Sequence, residues 1–87
     1  MILLSDVALA NVVRLDATAA GARNLIKDAV LVLDEHPFIG REVEAGMREL
    51  VISKDKTGCV ALYDYDESRA TVTVLAIRHQ RELDYPL

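Results

Sequence analysis

A run of β-branched and aliphatic residues, Val72-Thr73-Val74-Leu75-Ala76-Ile77, ends in a basic knot, Arg78-His79-Gln80-Arg81. A strand that delivers two guanidinium groups and an imidazole from its end places them at the rim of a sheet, where a polyanion or an acidic protein surface can reach them. In-line cleavage of RNA needs a group to take the 2′-hydroxyl proton, a cation to hold the charge on the phosphorane, and an acid for the leaving oxygen. Arg78 and Arg81 suit the cation, and His79 suits the base or the acid, because histidine titrates near neutral pH. Arg48 supplies one more cation, and Glu49 and Tyr85 are further proton carriers. The knot equally suits docking without chemistry, or plain surface charge. No acidic residue stands beside it until Glu82.

Ten Lys plus Arg against fourteen Asp plus Glu give a net charge of −4. That sign argues against a surface that attracts nucleic acid everywhere, so any basic site is local. A length of 87 residues fits one domain, residues 1–87, and 52% apolar content with one Phe, three Tyr and no Trp predicts an aliphatic core. Single Cys59 cannot form an internal disulfide and reads as a small buried hydrophobe on a strand. His36 has no second His or Cys at metal spacing and reads as a helix-terminal histidine. With no Gly-rich phosphate loop, Ser/His/Asp set or Cys pair, neither a cofactor nor a metal is expected. Met1-Ile2-Leu3-Leu4 is too short for a signal segment and no apolar run is long enough to span a bilayer, which predicts a cytoplasmic chain with no membrane partner.

The elements that must carry these residues follow from periodicity. Residues 2 to 4 make a short strand and Ser5-Asp6 an N-cap. From Val7 to Leu33 apolar residues recur at three- and four-residue steps, and Asp16-Ala17-Thr18 with Gly21 favours a break into two helices near 16 to 18. One long helix is the alternative, and it would need a second chain to cover it, so self-association stays open. Pro37 ends the helical region, and residues 37 to 46 read as a loop. From Met47 the period becomes two, with strands at 47–53, 59–65 and 71–78 joined by turns at 54–58 and 66–70. Turns centred near Lys56 and Ser68 put Leu50, Leu62 and Val74 in one row and Ile52, Val60 and Ala76 in the next, an aliphatic face for the helices. The other face then carries Glu49, Tyr63, Thr73, Val51, Ala61 and Leu75. Such a mixture suits either a groove filled by a partner, with Tyr63 and Leu75 as contacts, or an ordinary outer face. In that register Arg48 faces Asp64 as a cross-strand ion pair. The fold class is α+β: a short N-terminal strand, a helical hairpin and a three-stranded antiparallel meander.

Gly40-Arg41, Met47-Arg48-Glu49-Leu50-Val51-Ile52, Gly58-Cys59-Val60-Ala61-Leu62-Tyr63 and the terminal strand with its basic knot occur in an order and spacing that resembles the RelE/ParE toxins of bacterial type II toxin–antitoxin, or plasmid stabilisation, systems. The resemblance covers roughly residues 34 to 86. It implies a toxin neutralised by a cognate antitoxin, touching operator DNA only through that antitoxin, and aimed either at DNA gyrase or at ribosome-bound mRNA. In the ribonuclease branch Arg48, Glu49, Arg78, His79, Arg81 and Tyr85 would be catalytic. That branch is usually strongly basic, whereas this chain has three lysines, Lys27, Lys54 and Lys56, two of them in a turn. The departure favours the gyrase branch, with Tyr63, Leu75, Arg78 and Arg81 as docking residues. An inactive binding module is a third reading, fed by a helical region shorter than the family's usual hairpin.

Overall fold

The computed structural model describes residues 1–18, 21–52 and 58–82. Among the described residues eight elements follow one another: β1 (Ile2–Leu4), α1 (Asp6–Thr18), α2 (Ala22–Glu35), β2 (Arg41–Glu42), a 3-10 turn (Glu44–Gly46), β3 (Arg48–Val51), β4 (Cys59–Asp66) and β5 (Thr71–His79). The α+β class and the antiparallel run β3–β4–β5 are as expected. The sheet is wider than three strands: its order is β1-β5-β4-β3-β2. β1 adds to β5 in parallel, Leu3 beside Thr73, and β2, inside the segment read as a loop, pairs Arg41 with Glu49 and Glu42 with Arg48.

Two helices form rather than one, but residues 16 to 18, where the break was expected, still belong to α1, which runs to Thr18. Ser5 caps the first: its Oγ accepts the Ala8 N–H at 3.0 Å while its hydroxyl donates to the Leu75 carbonyl at 2.7 Å, so one side chain both starts α1 and ties it to β5. Gly21 stands before α2 at φ 89, a left-handed conformation that glycine adopts without a Cβ penalty. The Asp16 carboxylate reaches across the connection, accepting the Arg23 N–H at 3.2 Å and facing the Arg23 guanidinium at 3.6 Å. At the other end the His36 N–H closes α2 on the Val32 carbonyl, in keeping with a helix-terminal residue.

Both helices cover one face of the sheet. Ala8, Leu15, Ala22, Ile26 and Leu33 pack on Cys59, Ala61, Tyr63, Val72, Val74 and Ile77, with Leu50, Ile52 and Tyr65 at the margin. This corrects the expected faces. The pairing of β3 with β4 is offset by one residue from that expected for a turn centred at Lys56, so Leu50 pairs with Ala61 rather than Leu62, and Arg48 with Tyr63 rather than Asp64. A one-residue slip turns every side chain of a strand over. Ala61 and Tyr63 therefore enter the core, while Leu62 lies across from Glu49 on the outer side.

A second irregularity sits between β4 and β5, where Leu62 pairs with Ala76 but Tyr63 with Val74, leaving Leu75 as the extra residue of a β-bulge. The bulge is stitched to α1. Ser5 takes the Leu75 carbonyl, and Asn11, 5% exposed, accepts the Ile77 N–H on its Oδ1 at 2.9 Å. At the end of β4, the Asp66 carboxylate accepts both the N–H and the hydroxyl of Ser68, which hold its carboxyl below the usual range and shape the turn to β5.

Candidate functional site

The residues with chemical potential fall into two groups at opposite ends of the sheet. Near the β3 end, Arg48 spends its guanidinium on the turn after α2. It donates to the Gly40 carbonyl at 2.7 Å and the Phe38 carbonyl at 3.3 Å, pairs with Glu42 at 3.2 Å, and lies 5.0 Å from the centre of the Phe38 ring. Fully buried Tyr63 completes this clamp. Its hydroxyl donates to the Pro37 carbonyl at 2.8 Å and accepts the Gly40 N–H at 2.9 Å. Glu49, on the outer side, is held by Arg41 at 3.0 Å. Tyr63 is thus an internal tie rather than the outward contact expected from the sequence, for the register reason given above.

At the other end, the chain turns back on itself after β5. Arg78 donates through Nη1 to the carbonyls of His79, Gln80 and Glu82, the last at 2.8 Å. The His79 N–H donates to the Glu82 carboxylate, which also meets Arg14 of α1 at 3.0 Å. His79 Nδ1 accepts the Arg81 N–H at 3.1 Å, and the Gln80 N–H reaches the Gly58 carbonyl. Arg78, His79 and Arg81 are therefore gathered in one turn, with Arg81 exposed. Leu75, half-buried, lies at the bulge. Tyr85, Lys54 and Lys56 fall outside the described residues.

Arg48 does not join the basic tip. It pairs with Tyr63 while Arg78 pairs with Val60, three residues along β4 and of opposite parity, so their side chains leave from opposite faces. Two participants escaped the sequence reading, Arg14 and Asn11. Asn11 had a usable signal: a lone amide in the stripe Ala8, Asn11, Val12, Leu15 must find a buried partner. Among the described residues no cluster of His, Cys, Asp or Glu has the arrangement to hold a metal ion. No helix among them is long and apolar enough to cross a membrane.

Cys59, 2% exposed, pairs with His79 across the β4–β5 ladder. Burial raises its thiol pKa above the usual value near 9.0, Arg14 pulling it back and Glu82 adding to the rise. Folding thus favours the protonated thiol. Its contribution to stability is complete below the unfolded pKa and declines as pH rises through the higher folded one. Iodoacetamide should label native Cys59 at least about a hundredfold more slowly than the urea-unfolded chain. The loss of melting temperature between pH 8 and 10 should also be smaller in Cys59→Val. Equal labelling rates would show that the thiol is accessible.

The geometry above, helices on one face of a mixed sheet with a basic turn after the last strand, can be set beside known proteins. A family model described as the ParE toxin of the type II toxin–antitoxin system parDE matches residues 2–84. The chain belongs to the ParE toxin family. It is a toxin of the type II toxin–antitoxin class, and the match runs through the helical region as well as the strands. A chain in the crystal structure of the intact E. coli RelBE toxin–antitoxin complex has the same fold, with a TM-score of 0.72 at 13% identity over 94% of this ParE-family chain and 98% of that one. No curated relative matches the sequence significantly.

Proposed function

We propose that this ParE-family chain acts by docking on DNA gyrase and arresting it on cleaved DNA, and that a cognate antitoxin holds it inactive. The observation that carries this reading is the dispersal of the nominated cations. Arg48 is committed to the Phe38 and Gly40 carbonyls and Arg78 to three carbonyls of its own tail, from opposite faces of the sheet. A phosphate clamp needs preorganised positive charge converging on one point. The exposure of Arg81 at the end of the turn supports contact with an acidic protein surface instead.

The ribonuclease alternative draws on the gathering of His79, Arg78 and Arg81 in one turn, with Arg81 and His79 as its cation and proton carrier. Expression in cells separates the two. Under the gyrase reading the wild-type chain causes filamentation and a DNA-damage response, and Arg81→Glu reduces that phenotype by about tenfold or more, as loss of a charged contact of about 1.5 to 3 kcal/mol requires. Translation arrest with cut messages and an undamaged chromosome would overturn it, while neither effect would favour an inactive binding module.

A further inference from the structure

The turn after α2 holds Phe38 and Ile39 in water, 53% and 54% exposed. Val13 and Leu31 are more exposed still, so exposure alone does not set the pair apart. Its backbone does, being unusually well fixed for a loop. Tyr63 and Arg48 together bind the carbonyls of Pro37, Phe38 and Gly40 and the Gly40 N–H, and the Ile39 N–H closes on the His36 carbonyl. The Phe38 ring meets Tyr65 edge-on at 5.1 Å and carries the Arg48 guanidinium on its face. A fully buried tyrosine and a largely buried arginine are thus spent on holding one exposed turn. Pinning an apolar pair in advance removes ordering entropy that binding would otherwise cost.

A carboxylate stands beside this pair. Glu35 lines the shallow hollow next to Phe38 and Ile39, whereas the charge of Glu42 is taken up by Arg48. Among the described residues Glu35 forms no ion pair. The complement of such a surface is an apolar pocket with a basic rim. An enzyme that handles DNA keeps basic surface to hold phosphates, and a folded enzyme can offer a formed pocket. An antitoxin segment that folds as it binds needs a groove to lie in, and this chain has one elsewhere, along Leu9, Val12, Ile26 and Leu31.

We propose that Phe38 and Ile39, flanked by Glu35, form the anchor by which this chain docks on gyrase, entering an apolar pocket rimmed by basic groups. The inference rests on the gyrase reading and adds to it a second contact, at the far end of the sheet from Arg81. Such paired contacts suit a small protein seated on a large one, since each end meets charge of the opposite sign.

The test uses the purified full chain, titrated against the supercoiling activity of purified DNA gyrase. Ile39→Arg puts a cation where an apolar side chain enters a basic rim, and Glu35→Lys reverses the flanking charge without touching the clamp. Val13→Arg, at a 63% exposed position on α1, is the control for a charge added elsewhere. The half-inhibitory concentration should rise about tenfold or more for Ile39→Arg and about threefold or more for Glu35→Lys, the latter shrinking at high salt. Val13→Arg should inhibit as the wild type does, and all variants should keep the wild-type circular dichroism. Wild-type inhibition by Ile39→Arg, or an equal loss in Val13→Arg, would overturn the anchor while leaving gyrase as the target. A wild-type chain with no effect on gyrase would instead remove the gyrase reading, and the anchor with it.

Discussion

Gly40→Ala should destabilise the chain by about 3 kcal/mol, at the upper end of the usual range for overpacking. A Cβ on Gly40 would lie 2.7 Å from the Glu49 carbonyl oxygen and 2.7 Å from both Cε1 and Oη of Tyr63. Neither neighbour can yield cheaply. The Glu49 carbonyl is backbone within β3, and Tyr63 is a fully buried ring whose hydroxyl bonds on both sides. Since a domain of this kind is stable by only about 5 to 15 kcal/mol, the midpoint of urea unfolding should fall visibly. Tyr63→Phe should cost about 1 to 3 kcal/mol by leaving the Gly40 N–H without its acceptor. The double variant should cost less than the sum, because removing the hydroxyl also removes one of the atoms that the added Cβ strikes. An unchanged midpoint for Gly40→Ala would mean that the clamp closes less tightly than described.

Asn11→Leu tests the other buried polar tie. Leucine keeps the branched outline of the side chain on α1, with bulkier methyl groups, but cannot accept the Ile77 N–H that the β-bulge turns away from β4. An amide orphaned in that environment costs about 1 to 3 kcal/mol, and the loss should appear in urea unfolding and as faster hydrogen exchange at Ile77. Stability equal to the wild type would show that the bulge amide finds another partner.

Much of the fold can be read from local signals in the chain. Ser5-Asp6 announces the start of α1, Gly21 the break before α2, Pro37 the end of the helical region, and the switch to period two at Met47 the start of the meander. What escapes local reading is relational. β2 has two residues, too few for a periodic signal, and nothing in Ile2-Leu3-Leu4 announces that its partner is β5, some seventy residues away. Register depends on turn geometry, and a shift of one residue in the pairing of β3 with β4 turns β4 over. The expected pairing puts Tyr63 on the surface and Arg48 across from Asp64, where the structure has Tyr63 in the core and across from Arg48.

The candidate site was legible as composition and not as geometry. The clustering of Arg78, His79 and Arg81 follows from adjacency in the chain. The return of Arg78 onto its own tail does not, because its acceptors are backbone carbonyls that leave no mark in the sequence. The Arg14–Glu82 pair depends on how α1 lies across β5. Phe38 and Ile39 carry no local mark that separates them from ordinary loop residues, since the groups that pin them lie on β3 and β4.

Whether this toxin acts on gyrase and leaves RNA uncut can be measured directly. Purified wild-type chain is added to two reactions side by side: DNA supercoiling by gyrase, and a ribosome-bound message analysed by primer extension. The expected result is loss of supercoiling with accumulation of gyrase-cleaved DNA, and a message that stays whole at every pH tested. A message cut on the ribosome, with supercoiling untouched, would contradict it.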